Sequence, residues 1–261
     1  MGATTTQFQL EGKGPVFIAF VVLFLLSACA KNPSWSTVAS VDASQVLNNA
    51  DSVVTPIQPE VPVDATAGHT PISFKAEPLA WESASHPERQ VWSAFAMRVV
   101  DEEFESLDQA QDANLFCPTY DRLSREQKTN FWAQLIAGMS YYESGWSPVS
   151  RMQETSLGTD SVTGKPVYSE GLLQLSYQDI RGYSFCEFDW NKDKNLSSKD
   201  PQKSILDPFK NLRCGIKILS SQLARKKEIV VGNGVYWAVI RKGSSHISQI
   251  ASLTKRLSFC R

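Results

Sequence analysis

Glu143 is the side chain whose surroundings in the sequence most suggest chemistry. It lies in the stretch MSYYESGWSP, and Trp132, Ile136 and Met139 precede it at intervals of four, three and four residues. At these intervals all four side chains share one face of a helix. A carboxylic acid among aromatic and apolar side chains resists ionisation, because desolvation raises its pKa. Glu143 is therefore a candidate general acid for work near neutral pH, although an ordinary half-exposed glutamate closing a helix is the simpler alternative.

Two helices with clear start signals are predicted around this glutamate. Ser124 is followed three residues later by Gln127, which is the capping-box pattern, and it opens the helical stretch that ends near Glu143. Asp207 is an N-cap residue with Pro208 at the first helical position. The apolar period is helical nearly throughout, while residues 147–170 are polar and rich in turn residues. We therefore predict a mainly α domain, with a small β-hairpin within residues 150–170.

Four short motifs follow one another within residues 125–260. Their matching residues are Glu143, Ser144, Gly171, Gln174, Asp207, Pro208, Asn211, Gly215, Leu219, Tyr236 and Ala238. In this order they resemble the soluble lytic transglycosylase family and its goose-type lysozyme relatives. Leu173 stands where that family usually has Met, and Trp237 and Val239 replace its Asn and Gly in the last motif.

The resemblance implies a lysozyme-like domain that acts on peptidoglycan. The bond cut would be the β-1,4 bond between N-acetylmuramic acid and N-acetylglucosamine, or glucosamine that is N-deacetylated. Glu143 would be the acid, Ser144 and Gln174 would position the acid and the sugar, and Tyr236 would face the intermediate. The changes at 237–239 are expected to alter which peptide or N-acetyl state of the glycan is preferred.

A second carboxylate would decide between two reactions. Hydrolysis needs one to activate water or to act as nucleophile, and the candidates are Glu154, Asp160 and Glu170, none within a matched motif. Glu170 is nearest, directly before GLLQ, although an exposed turn residue is the simpler interpretation. With Glu143 alone, the C6 hydroxyl of the muramic acid attacks internally and leaves a 1,6-anhydro sugar. We expect this lytic transglycosylase reaction, with a hydrolytic lysozyme of the same fold or an inactive glycan-binding lipoprotein as alternatives.

The N-terminal sequence predicts export with a lipid anchor. Residues 16–26 are an apolar run of eleven, too short to span a bilayer and typical of a signal peptide. The run leads into LSAC, which resembles the bacterial lipobox and makes residues 1–28 a lipoprotein signal peptide with Cys29 lipidated. Because Ala30 is not the Asp that favours inner-membrane retention, we expect the outer membrane, facing the periplasm. The alternative is ordinary secretion, with cleavage after Ala30.

Composition separates a tether from a folded part. Residues 29–84 are rich in Ser, Thr, Pro, Asp and Ala without period, which predicts a disordered tether before a catalytic domain at 85–261. Residues 1–88 hold 3 basic and 8 acidic side chains, a balance of -5, and residues 89–261 hold 23 and 19, a balance of +4. That balance is too small to indicate nucleic acid. The expected partners are peptidoglycan glycan strands and, through the lipid, a membrane.

Four cysteines outside the signal sequence allow three disulfide pairings, and an exported chain meets an oxidising compartment. Cys186 and Cys214 bracket a turn-rich segment, and Cys117 and Cys260 bracket the whole domain. We predict these two pairs, each stabilising by about 3–5 kcal/mol.

No cofactor or metal is expected. No C-x-x-C spacing occurs, and the EF-hand-like stretch 189–200 has Lys194 where the loop requires Gly, so a solvated surface loop is the better interpretation. Tryptophans could stack on sugar rings. Trp132 is expected in the core, whereas Trp146 and Trp237, which lie beside matched motifs, are candidate groove residues.

Overall fold

The computed structural model describes residues 74–261. The predicted signal peptide 1–28, the lipidation site Cys29 and the tether up to residue 73 lie outside the described residues. Within residues 74–261 the α-helices are α1 Arg89–Glu102, α2 Phe104–Leu107, α3 Arg125–Ser144, α4 Asp179–Gly182, α5 Trp190–Asp193, α6 Pro208–Lys226 and α7 His246–Thr254. Short 3-10 helices are Ala113–Leu115, Tyr120–Arg122, Ser204–Leu206, Ala238–Ile240 and Ser258–Cys260. The predicted mainly α class with a small hairpin is confirmed, and no helix in this part of the chain is long and apolar enough to cross a membrane.

Helix α3 begins and ends where its terminal residues satisfy free backbone groups. The Ser124 side chain accepts from the Gln127 backbone N–H, and the Gln127 side chain binds back to the Ser124 N–H, so the predicted capping box is confirmed. At the other end Gly145 adopts the left-handed conformation at φ 61°, which ends the helix at low steric cost. Glu143 is thereby fixed in the last turn of α3.

Helix α3 is the centre of the fold and packs against α1 and α7. Trp132, Ile136 and Met139 are buried, which confirms the predicted apolar face. A Cβ on Gly138 would lie 3.2 Å from Ile250 of α7, so the absence of a side chain lets these helices approach closely. The row of buried side chains ends at the half-buried Glu143.

Helix α6 supports the other side of the core and packs against α1 and α2. As predicted, Asp207 is its N-cap, accepting from the Phe209 N–H at 2.8 Å and the Lys210 N–H at 3.1 Å, and Pro208 opens the helix.

Residues 74–84 belong to the packed region, although the sequence boundary at residue 85 assigns them to the tether. Leu79 and Trp81 are buried. The Glu77 N–H donates to Asn130 at 2.7 Å, and the Ala80 N–H donates to Gln134 of α3 at 2.9 Å. The segment is held by tertiary contacts without a helical period, which is why its pattern does not reveal it.

Both predicted disulfides are present. Cys117–Cys260, with Cα atoms 4.8 Å apart, joins the segment before α3 to the C-terminal 3-10 helix. Cys186–Cys214, with Cα atoms 4.7 Å apart, joins the loop after α4 to α6.

The hairpin consists of β1 Arg151–Gln153 and β2 Tyr168–Glu170, paired antiparallel with Arg151 opposite Glu170 and Met152 opposite Ser169. Because side chains alternate along a strand, neighbouring residues point to opposite faces. Met152 and Ser169 border the hollow beside Glu143, and we call this side the groove face. Arg151 and Glu170 border a separate cavity of about 200 Å³, and we call that side the reverse face.

Candidate active site

A groove of about 470 Å³ opens beside the end of α3. Its polar lining comes from α3, the groove face of the hairpin, the GLLQ turn, the start of α4 and the segment before the 3-10 helix Ala238–Ile240. Its polar side chains include those of Glu143, Glu154, Ser169, Gln174, Asp179 and Tyr236. Residues that are far apart in the sequence therefore meet in one hollow.

Glu143 has the electrostatic setting of a general acid. Burial, and to a smaller extent the nearby Glu154 carboxylate, raises the pKa of its carboxyl group to about 7. No cation within residues 74–261 forms a salt bridge with it. The group therefore keeps its proton close to neutral pH, where an acid catalyst must give that proton up and take it back.

Glu154 is the second carboxylate of the groove. It follows β1, where its N–H donates to the Val167 carbonyl at 2.9 Å and extends the hairpin ladder. Its side chain is half-buried, and the Ser169 hydroxyl donates to its Oε1 at 2.6 Å. This hydrogen bond orients the carboxylate on the same hairpin face that borders Glu143.

Glu170, the second carboxylate preferred from the sequence, lies outside this groove. It is on the reverse face, where Lys203 Nζ is 2.5 Å from its Oε2 and Arg151 Nε is 3.5 Å away. Glu170 and Lys203 have side-chain exposures of only 3% and 4%. The residue is half of a buried ion pair and not the exposed turn residue considered from the sequence, and it does not line the groove of Glu143.

Asp160, the third candidate, also has a structural position. Its carboxylate accepts from the backbone N–H groups of Val162 at 2.8 Å, Thr163 at 2.9 Å and Gln178 at 3.0 Å. It lies in the cavity of the reverse face and fixes the turn between the strands. Among the three candidates, the structure brings only Glu154 to Glu143.

The matched glycines and Asn211 build the turn that carries Gln174. Gly171 has φ 81°, and a Cβ there would lie 2.3 Å from Asn211 Nδ2. Asn211 Oδ1 in turn accepts from the Leu173 N–H at 2.8 Å. A Cβ on Gly215 would lie 2.3 Å from Leu173 Cδ1. These residues are needed for close packing beneath the groove.

Gln174 reaches the groove and Ser144 does not line it. Gln174 has φ 50°, an uncommon conformation for a residue with a side chain, and its Nε2 donates to the Gly171 carbonyl at 2.8 Å. The Ser144 hydroxyl donates back to the Ser140 carbonyl at 3.0 Å within α3. In this structure the Ser144 hydroxyl is therefore bonded within the helix that carries Glu143.

Tyr236 is paired with an aspartate that the sequence analysis missed. The Tyr236 hydroxyl donates to Asp179 Oδ2 at 2.6 Å, and the Ser176 N–H donates to the same oxygen at 2.7 Å. Burial raises the pKa of Asp179 against the opposing effect of these hydrogen bonds, and burial together with Asp179 raises the pKa of Tyr236. No motif marks Asp179, and 57 residues separate it from its partner.

Of the three tryptophans considered from the sequence, only Trp237 borders the groove. Trp132 is fully buried and its Nε1 donates to the Tyr120 hydroxyl at 2.8 Å, which confirms its core position. Trp237 borders the groove but is only 2% exposed, and its Nε1 donates to the Leu173 carbonyl at 2.8 Å. Trp146 lies outside the groove, with its Nε1 bonded to the Ala137 carbonyl at 2.9 Å.

Metal ligands are not assembled in the described part of the chain. Within residues 74–261 no group of three or more His, Cys, Asp or Glu could hold a metal ion. In the EF-hand-like stretch, Asp189 caps α5 through the Lys192 N–H and Asp193 accepts from the Tyr177 hydroxyl.

Fold and site together define a mainly helical domain whose groove holds Glu143 with a second glutamate, Glu154, beside it. Neither a protein-family model nor a curated protein matches the chain significantly. Among solved structures, wild-type Bd0314 DslA, a Bdellovibrio protein, is 30% identical over 72% of this chain and 100% of that chain, with a TM-score of 0.57. Its E143Q variant matches at 28% identity over the same shares and a TM-score of 0.57, and its E154Q variant at 30% over 67% and 93%, with a TM-score of 0.55. The chain belongs to the same family as DslA.

Proposed function

We propose that this chain is a glycosidase with a lysozyme-like fold that cleaves peptidoglycan glycan strands. The bond is the β-1,4 bond between N-acetylmuramic acid and N-acetylglucosamine or its N-deacetylated form. The observation that carries the proposal is the pair of carboxylates in one groove, with Glu143 protonated near neutral pH and Glu154 beside it. The resemblance of the four motifs supplies the substrate.

In the proposed reaction Glu143 gives its proton to the glycosidic oxygen as the bond breaks. A raised pKa suits this step, because an acid near its pKa both holds the proton and releases it readily. Glu154 supplies the second carboxylate that glycoside hydrolysis requires, to activate water or to stabilise the sugar cation that develops. Ser169 holds this carboxylate in place.

Hydrolysis is therefore preferred over the transglycosylation expected from the sequence. That expectation depended on the lack of a second carboxylate near the acid, and Glu154 provides one. The relative supports the pairing, since solved structures exist of its E143Q and E154Q variants. The same two residue types, eleven positions apart, occupy the groove of this chain.

Product analysis on purified sacculi tests the proposal. The wild type should release soluble muropeptides ending in reducing muramic acid, as mass analysis would show. Glu154→Gln should lower the rate by about 10²–10⁴-fold, the usual loss for one acid or base group. Glu187→Gln, at an exposed glutamate, is the matched control and should retain the wild-type rate.

Two other results would each point elsewhere. Products carrying 1,6-anhydro muramic acid would restore the transglycosylase, in which Glu143 works alone. If the folded wild type released no soluble material, the remaining hypothesis would be an inactive glycan-binding lipoprotein.

The proposed location is the outer membrane, facing the periplasm, with the lipid on Cys29. This proposal depends on the LSAC motif and Ala30 in the sequence, since Cys29 lies outside the described residues. Labelled palmitate should enter the wild-type protein and not the Cys29→Ala variant.

A further inference from the structure

The groove continues beyond Glu143 into a second hollow of about 520 Å³. The two hollows share Glu143, Ala238 and Arg241, and the second extends along residues 241–246 to His246 at the start of α7. A strand bound across Glu143 would therefore have part of its length over this second hollow.

The two halves of the continuous groove differ in charge. The first half holds the carboxylates of Glu154 and Asp179, the second holds Lys242 and His246, and Arg241 lies where the two halves meet. His246 has partners in the fold, because its ring stacks on Tyr142 with centroids 4.6 Å apart and its Nδ1 is 2.9 Å from Gln249 Oε1. Arg241 and Lys242 are exposed, and within residues 74–261 neither side chain forms a salt bridge.

The backbone beneath these two cations is held in place. The Arg241 N–H donates to the Ala238 carbonyl at 3.1 Å, and the Lys242 N–H donates to the Val231 carbonyl at 3.0 Å. The influences on the Glu143 carboxyl group are burial and Glu154, and Arg241 is not among them. The fold thus gives neither cation an acidic partner, and both side chains are accessible to a molecule bound in the groove.

We propose that Arg241 and Lys242 bind carboxylates of the peptides attached to the muramic acid residues of the strand. This rests on the proposed function and adds a substrate preference: peptide-bearing strands with free carboxylates, oriented so that the peptide lies over residues 241–246. The backbone sugars of an N-acetylated strand are uncharged, and its carboxylates are on the lactyl groups and peptides. The planar guanidinium of Arg pairs with a carboxylate through two parallel hydrogen bonds, and Lys adds a second charge.

The test compares native sacculi with sacculi whose free carboxylates have been converted to amides by carbodiimide and excess ammonia. Amidation keeps the bulk of the peptide and removes its negative charge. The wild type should cleave native sacculi about 5–30-fold faster, the effect of one or two partly exposed charge-assisted contacts. In Arg241→Ala/Lys242→Ala this ratio should fall close to one, through a higher KM on native sacculi.

The matched control is Arg225→Ala/Lys226→Ala at the exposed end of α6, which removes the same charge away from the groove. It should keep the wild-type ratio. Equal wild-type rates on the two substrates, or a ratio that survives in Arg241→Ala/Lys242→Ala, would overturn the inference.

Failure of the proposed function is distinguishable from failure of this inference. If wild type released nothing from either substrate, pelleting of Glu143→Gln with native and amidated sacculi would still measure binding. Preferential pelleting with native sacculi that is lost in Glu143→Gln/Arg241→Ala/Lys242→Ala would keep the inference without the enzyme. Equal pelleting would reject both.

Discussion

The groove face and the reverse face of the hairpin each hold a glutamate, under opposite conditions. Glu154 borders the groove with Glu143, and a hydroxyl group, not a cation, holds its carboxylate. Glu170, on the reverse face, is almost fully buried and bound to Lys203, with Arg151 3.5 Å away. Two glutamates of one short hairpin, one following β1 and one at the end of β2, are therefore placed in different surroundings.

The difference shows how counter-charge separates a chemical role from a structural one. A buried carboxylate that is hydrogen-bonded to a buried ammonium is committed to that partner, and breaking the pair is costly. A carboxyl group that is desolvated and faces another carboxylate keeps its proton to a higher pH, as Glu143 does. A group that burial and a like charge perturb in a cleft is therefore a candidate for a functional site.

Loss of the acid should give the largest effect. Glu143→Gln keeps the shape of the side chain and removes its ionisable proton, so sacculus digestion should fall by about 10²–10⁴-fold or more. Initial rates of muropeptide release measure this, and circular dichroism confirms folding. A folded variant that digests at the wild-type rate would place the active site elsewhere and remove the contrast between the two faces.

Loss of the reverse-face carboxylate should instead lower stability. Glu170→Gln leaves the Lys203 ammonium buried without its counter-charge, so the free energy of unfolding should fall by about 3 kcal/mol. Urea denaturation measures this at a temperature where the variant is folded, and the rate per folded molecule should stay near wild type.

Glu170→Gln/Lys203→Met sharpens this test. Replacing both partners removes the uncompensated charge, so much of the stability should return. If Glu170→Gln kept full stability but lost digestion, Glu170 would belong to the chemistry, as the sequence analysis considered.

Local signals were sufficient for much of the fold. Ser124 with Gln127, and Asp207 with Pro208, fix where α3 and α6 begin, because caps act within a few residues. The cysteine pairs followed from the segments they bracket. Residues 74–84 escaped prediction because Leu79 and Trp81 are buried by distant partners and follow no helical period.

The position of Glu143 could be predicted from the sequence, whereas the residues around it depend on how the chain folds. Glu143 stands at the end of a visible apolar row, whereas the choice between Glu154 and Glu170 depends on hairpin register. A shift of one residue moves a side chain to the opposite face, and the polar stretch 150–170 has no alternating pattern to show it. Asp179 is found only when folding brings it to Tyr236.

The smallest predicted effect is the dependence of stability on pH. In the native state Glu143 keeps its proton up to about pH 7, while in the unfolded chain its pKa is near the ordinary glutamate value of 4.5. Between these values the native state binds more protons, so Glu143 makes stability fall as pH rises. Glu143→Gln should therefore gain about 1–2 kcal/mol over wild type between pH 4 and pH 8, after allowance for partial solvent exposure. Urea midpoints across this range measure the gain. In a Glu154→Gln background the pH range over which stability falls should be narrower, because one cause of the raised pKa of Glu143 is gone. A gain that did not change with pH would show that Glu143 titrates as an ordinary glutamate, and the groove carboxylates would then differ from Glu170 only in having no cation.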